Sequence, residues 1–439
     1  MSDGTRKRNF HKCLCLTMHA RFILKYRIMK KLLLFFLVSL FGFSAYGQFS
    51  LSGDIFVRPE FRHGYRRMPF ADEKPAGLVN QRTRLILDFK KDNITTKVSF
   101  QDTRIWGQQE QRTQVPSFDL HEAWLQIAFT DSFLIRAGRQ ELRYENQRFF
   151  AINDWNVAGQ KHDALLLKYL GKKGEFHLGA AFNQDQNRLF GTDYGLSNYK
   201  TLQYLWYQTR LGSRSRISFM GVADGYQSLY NPEILYVRGT WNTFLEFRPG
   251  RFVLSFNPAY QHGKNRQGLE INAGYFMGSA SVKLNEKIIT TLGVEWFTGN
   301  DGLNDNHKDN AFDALYGAGH SLLGCMDYFT QIPAHAKGAG LINPYFKTQF
   351  QISPKIRGDA NIHFFSLQNN YLDQGQVINK FLGTEVDLTV NYHFNEITQI
   401  LAGYSVMFGT ESMAVIRGGS KDEFAHWGLI MLRIRPKFL

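Results

Sequence analysis

Strands with one oily face and one wet face run the length of this chain, and the connections between them alternate strictly between short and long. The stretch LGTEVDLTVNYHF (382–394) shows the unit. Leu382, Val386, Leu388, Val390, Tyr392 and Phe394 fall on one side, with Thr384 among them; Gly383, Glu385, Asp387, Thr389, Asn391 and His393 fall on the other. Successive side chains of a strand point to opposite faces, so one face meets apolar surroundings and the other meets water. Eighteen such strands are expected, at 51–62, 79–90, 94–105, 118–129, 132–139, 161–170, 174–183, 200–211, 215–224, 234–248, 251–262, 269–284, 287–298, 340–351, 355–367, 381–394, 397–408 and 424–438. Short links include Lys91-Asp92, Thr130-Asp131, GKKG at 171–174, Pro249-Gly250, Asn285-Glu286, Ser353-Pro354 and Asn395-Glu396. Long ones include 63–78, 106–117, 140–160, 299–339, 368–380 and 409–423. An even number of strands, with every short turn at one end, fits an all-β fold: a transmembrane, up-and-down, antiparallel β-barrel of about 18 strands. In hydrocarbon a closed sheet pairs every backbone group internally. A soluble sandwich or solenoid has no reason to keep this order.

The N-terminal region agrees. From Met29 the sequence reads MKKLLLFFLVSLFGFSAYGQ, with Lys30 and Lys31 before an apolar run and Ala45-Tyr46-Gly47 as a small-x-small cleavage site. That is a secretory signal, and its apolar run is too short for a membrane helix. The expected organisation is 1–28 as an over-long N-terminal extension, or a real one with its own role, 29–47 as the signal peptide and 48–439 as the barrel. Residues 1–47 carry nine bases and one acid, so without them the formal charge falls from +14 to +6. The basic balance belongs mostly to the leader, and a nucleic-acid partner is not expected. Cys13 and Cys15 leave with it, and Cys325 alone cannot form an internal disulfide or a thiolate metal cluster.

Eighteen strands enclose more space than their own side chains fill, so an aqueous lumen is expected. Strand phase assigns its lining. Leu85, Leu87 and Phe89 point out while Arg82, Arg84 and Asp88 point in; Glu122, Trp124 and Gln126 point in; Leu235, Val237, Trp241 and Leu245 point out while Arg238, Glu246 and Arg248 point in. Lys347, Gln349, Arg357, Asp359, His363, Arg433 and Arg435 also point in. Each such Arg either pairs with a wall carboxylate and stiffens the barrel, or lowers the barrier for anions.

Residues 136–167, RAGRQELRYENQRFFAINDWNVAGQKHDALLL, together with QDTRIWG (101–107) and HEAWLQ (121–126), resemble the alginate-export family of outer-membrane porins. The matching positions are Gly138-Arg139-Gln140, Arg148, Trp155 and Asp163-Ala164-Leu165. The resemblance implies a monomeric eighteen-stranded barrel in the outer membrane of a Gram-negative bacterium, conducting an acidic or polar carbohydrate. It implies that Arg82, Arg84, Arg104, Arg136, Arg139 and Arg148 contact carboxylates, with Glu122 and Asp163 tuning the charge. Loop 140–160 is expected to fold inward as a constriction, its Phe149, Phe150 and Trp155 either packing sugar faces or anchoring the loop. The last strand, HWGLIMLRIRPKF, resembles the signal read by the barrel-assembly machinery, although Leu439 follows the aromatic. Expected partners are outer-membrane lipid and an anionic or polar carbohydrate.

Other classes find less support. His121-Glu122 is no zinc-protease signature, because Leu125 stands where a second histidine belongs. No Gly-x-Ser-x-Gly elbow, Walker loop or Cys-x-x-Cys occurs, so no catalytic residue, metal or cofactor is expected. GNDGLNDNHKDN in loop 299–339 does not fit EF-hand spacing and reads as a solvated surface loop, one that could also close the pore. A general porin for small solutes, and a barrel with a hydrolase or adhesive role, stay as alternatives.

Overall fold

A computed structural model describes residues 48–112, 117–304, 307–320 and 322–439. The expected extension and signal peptide (1–28 and 29–47) lie outside these residues. Strands β1 (Gln48–His63), β2 (Ala76–Lys91), β3 (Ile94–Ile105), β4 (Phe118–Ala128), β5 (Phe133–Gln140) and β6 (His162–Leu170) open the sheet. They are followed by β7 (Gly174–Phe182), β8 (Thr201–Leu211), β9 (Ser215–Gln227), β10 (Leu235–Phe247), β11 (Phe252–Lys264), β12 (Glu270–Lys283) and β13 (Ile288–Phe297). After a long loop with a one-turn helix, α1 (Ile332–His335), come β14 (Leu341–Ser353) and β15 (Ile356–Leu367). A small hairpin, β16 (Leu372–Asp373) and β17 (Gln376–Val377), stands apart; β18 (Phe381–His393), β19 (Thr398–Gly409), helix α2 (Glu411–Arg417) and β20 (Ala425–Ile434) complete the chain. Each barrel strand pairs with its neighbour in sequence, and β1 pairs with β20, so the eighteen-stranded sheet closes on itself. Every expected strand is present, with its ends shifted by four residues at most.

The outer wall is apolar. Leu85, Leu165, Trp241, Leu388 and Ile430 are all exposed there, as a lipid-facing band requires. The inward face alternates with it: on β18, Glu385 and Asp387 are fully buried while Leu388 is 51% exposed.

One assignment is corrected. Leu382 shares the apolar phase of β18, yet it is 0% exposed and lies inside. The β15–β18 register shifts between Phe365 and Ser366, where Phe365 opposes Gly383 and Ser366 opposes Phe381. Gly383 has φ +153°, and a Cβ there would sit 2.4 Å from the Phe408 carbonyl oxygen. The bulge inserts one residue and turns Leu382 inward.

The barrel's core is formed by its own loops. Phe149 and Phe150 from the loop after β5, Phe312 and Tyr316 from the loop after β13, and wall residues Tyr275 and Phe297 form a buried aromatic cluster inside the long-loop half. Helix α2 starts at Thr410, whose hydroxyl accepts from Met413 N–H, and ends at Gly418 with φ +85°. That cap geometry positions the last long loop over the same end of the barrel.

Candidate functional site

Loop 140–160 enters the lumen and is fastened at its base. The hydroxyl of Tyr144 lies 2.9 Å from His177 Nδ1 and 3.1 Å from the Tyr204 hydroxyl. Glu145 accepts from Ser218 Oγ (2.6 Å), Asn242 Nδ2 (2.9 Å) and Trp206 Nε1 (3.3 Å). Burial raises the Glu145 carboxyl above its ordinary range, partly opposed by those three donors. Arg148 donates from Nη2 to both carboxylate oxygens of Glu295 on β13 and from Nη1 to the Ala318 carbonyl at 2.9 Å, which ties this loop to the wall and to the loop after β13. Buried charges at such a spot must be paired, and here both are.

The tip of the loop forms the constriction. Asp154 sits between two wall guanidiniums, 2.8 Å from Arg82 Nη2 and 2.8 Å from Arg433 Nη2, with Arg84 Nη1 at 3.7 Å. Asp54 of β1 completes the group, 3.0 Å from Arg82 Nη2 and 2.5 Å from Arg433 Nη2. Asp154 is held well below the usual carboxylate range: burial opposes its ionisation, but Arg82 and Arg433 outweigh it. The indole of Trp155 lies flat against the His320 imidazole, with centroids 3.9 Å apart and planes 5° apart. The guanidinium of Arg58 lies 4.0 Å from the same indole ring. Two groups this close to one ring cannot share a face, so the indole is sandwiched. Trp427 meets it edge-on at 5.7 Å. His320 Nδ1 lies 2.8 Å from Asp327 Oδ1, and the Tyr65 hydroxyl donates to the other oxygen of Asp327.

Trp155 and His320 line two cavities. The one toward the long loops has a volume of about 790 Å³, and its lining holds five bases, Arg58, Arg62, Arg66, Lys161 and Arg417, against one acid, Asp327. Glu60, fully buried beneath it, takes Arg58 at 2.8 Å and Arg62 at 2.8 Å. The one toward the short turns, about 510 Å³, is lined by hydroxyls and amides with Lys347, Arg357 and Asp359, and by the apolar side chains of Ile289, Leu401, Trp427 and Leu429.

Of the residues expected at the site, Arg82, Arg84 and Trp155 meet at the constriction. Arg136 stands on the wall, stacked 3.8 Å over Trp124 and donating to Gln126, and Glu122 is buried against Lys97 at 2.7 Å. Arg148 is an anchor between loop and wall, with its side chain 1% exposed. Three residues face outward. Arg139 and Asp163 oppose each other across β5 and β6 and pair at 2.8 Å; Asp163 alternates with buried His162 and Ala164 and shares the outer face with exposed Leu165. Arg104 pairs with Asp102 at 2.6 Å. Its neighbour Thr103, not Arg104, opposes Arg82, and cross-strand partners share a face. The local motif carried these three residues into the expected site, and strand phase takes them out of it. Arg58, Glu60 and Asp54 were missed, although Asp54, Phe56, Arg58, Glu60 and Arg62 keep period two along β1. Asp154 and His320 sit on loops and carry no such signal.

A closed barrel with an apolar outer wall and a polar lumen narrowed by inward loops is an outer-membrane channel of a Gram-negative bacterium, surrounded by outer-membrane lipid. The family model described as alginate export matches residues 50–413, and the chain belongs to that family. The fold is similar to that of the crystal structure of Acinetobacter baumannii OccAB1, at 12% identity and TM-score 0.62 over 91% of this chain and 98% of that one. Pseudomonas aeruginosa OccD3 (OpdP) is similar at 12% identity and TM-score 0.59, over 90% and 92%. Pseudomonas aeruginosa OpdK, solved with vanillate, is similar at 9% identity and TM-score 0.58, over 88% and 99%. No curated protein matches the sequence.

Proposed function

We propose that this channel passes an anionic or polar carbohydrate, an alginate-like polyuronate or an oligosaccharide, by passive export or diffusion. The observation that carries the reading is the cationic lining of the long-loop cavity: Arg66 and Arg417 stand there with Arg58 and Arg62, which share the single carboxylate of Glu60, and with Lys161, which pairs with Asp119. Cationic side chains lower the barrier for anions, and guanidinium forks match carboxylates. The volume of that cavity falls in the range of small-molecule sites. Below it, Asp54 and Asp154 neutralise Arg82 and Arg433. A solute drawn in by the vestibule then meets a balanced constriction rather than a trap, which is what conduction requires. The hydroxyls and amides of the lower cavity suit sugar hydroxyls.

Planar-bilayer conductance with polygalacturonate added on the long-loop side tests this. We expect the polymer to block the current, the block to weaken in Arg66→Ala and Arg417→Ala, and Arg139→Ala, whose side chain faces outward, to behave as wild type. Current that the polymer never blocks would leave a general porin for small solutes.

A further inference from the structure

The two halves of loop 140–160 are held by different forces. At the base, Tyr144, Arg148, Phe149, Phe150 and Ala151 are buried. In the tip, no residue from Ile152 to Gln160 reaches that burial. It is fastened mainly by polar and ring contacts, with partial packing of Trp155 and Val157 against the core: Asp154 to Arg82 and Arg433, the Trp155 carbonyl to Arg58 Nη1 at 2.9 Å, the Ala158 carbonyl to Gln101 Nε2 at 3.0 Å, and the Trp155 indole to His320, Arg58 and Trp427. Asn153 (φ +46°) and Gly159 (φ +67°), both left-handed, bracket the tip. The same tip carries the indole that stands between the two cavities.

Arg82 and Arg433 each have a second carboxylate partner. Asp54 lies on strand β1 and stays with the wall. Asp154 lies on the loop tip rather than on the wall. Its chain neighbours Asn153 and Trp155 line the vestibule, whose lining is rich in bases. We propose that Asp154 is a tethered stand-in for the carboxylate of the solute, occupying the fork between Arg82 and Arg433, and that an incoming carboxylate displaces it and releases the 153–159 tip with Trp155 from the constriction. The identity of that carboxylate as a sugar acid rests on the function proposed above; the displacement does not. A neutral solute lacks the charge to compete, so the tether makes opening depend on the solute that is to pass. A ligand shifts such an equilibrium only by its differential affinity for the two states, and here the differential is the vacated pair of guanidiniums.

The test uses the full chain purified from outer membranes, with sodium glucuronate and glucose as probes in planar bilayers. In the wild type, glucuronate is expected to move the channel from a low- to a high-conductance state, and glucose to leave it unmoved. Asp154→Asn is expected to show the high-conductance state without glucuronate. It should also bind glucuronate at least about tenfold tighter, because a tethered competitor at millimolar or higher effective concentration no longer fills the site. Asp154→Glu, which keeps the carboxylate, should restore wild-type gating. Asp54→Asn removes a charge from the same two guanidiniums without freeing the tip, and should not open the channel. Heat-modifiable gel mobility checks that each variant folds. Asp154→Asn with wild-type conductance and wild-type glucuronate affinity overturns the tether, and so does equal opening by Asp54→Asn. Glucuronate that blocks wild type and Asp154→Asn alike, with no opening in either, overturns the tether and leaves the carbohydrate reading standing. Opening by Asp154→Asn in a protein that glucuronate neither binds nor opens keeps Asp154 as the latch of the tip but overturns its displacement by a sugar acid, and with it the anionic form of the carbohydrate reading.

Discussion

Removing the guanidinium of Arg148 separates a fixed base of loop 140–160 from a moving one. In the folded protein the Arg148 and Glu295 side chains are 1% and 2% exposed, and their ion pair is joined by the Tyr275 hydroxyl, which donates to Glu295 Oε1 at 3.3 Å. Arg148→Met leaves Glu295 buried without its cation and the Ala318 carbonyl without its donor. Breaking one partner of a buried pair costs about 3–5 kcal/mol. Spread over the docking equilibrium of the loop, that is roughly a 140- to 3,700-fold rise in the undocked fraction, at about 1.4 kcal/mol per decade. The barrel's own ladder is untouched, so the loss is local. Hydrogen exchange in detergent should show protection of the 144–151 amides falling by that factor while the β12 and β13 ladder amides keep theirs. Arg148→Met with Glu295→Met should recover most of it, because two apolar side chains replace a buried pair at little net cost. Unchanged exchange in the single variant, or a double variant as exposed as the single one, would refute the anchor.

Three further outcomes are expected. Leu388→Arg on the outer face should lower the stability of the barrel by about 2–4 kcal/mol at mid-membrane depth, whereas Thr389→Arg, on the lumen face, should lower it much less; denaturant titration in lipid vesicles compares them. Gly383→Val should destabilise by roughly 1–3 kcal/mol, since its positive φ suits glycine and its Cβ would meet the Phe408 carbonyl; a similar midpoint of heat modifiability for variant and wild type would argue against the bulge. Burial, with Arg417 and Arg66 nearby, pulls His335 down to about 4 from 6.5. Its neutral form is therefore favoured in the folded loop: the stability it contributes is complete above pH 6.5 and is lost as pH falls from there toward 4. Proteolysis of the loop after β13 should accelerate across that window, and His335→Gln should flatten the dependence.

Much of the lumen was legible in advance because a strand has only two faces. Arg82, Arg84, Glu122, Trp124, Gln126, Arg238, Glu246 and Asp387 all take the side that their phase assigned. Arg104, Arg139 and Asp163 were carried over from a local motif without regard to phase, and they face outward; Arg139 lies three residues from inward Arg136, so alternation alone puts it on the opposite face. Leu382 failed because Gly383 adds a residue to the count.

By itself, the sequence determined the class of fold, the number of strands, which end carries the long loops, and which residues meet lipid. All of these follow from period-two alternation and link length, which are local. Only the tertiary structure decided what fills the pore. Asp154 reaches Arg82 across 72 residues and Arg433 across 279, Arg148 reaches Glu295 across 147, and Trp155 reaches His320 across 165. No periodicity encodes these meetings. They arise because closing the sheet brings the inward loops into one small volume, where every buried charge must find a partner.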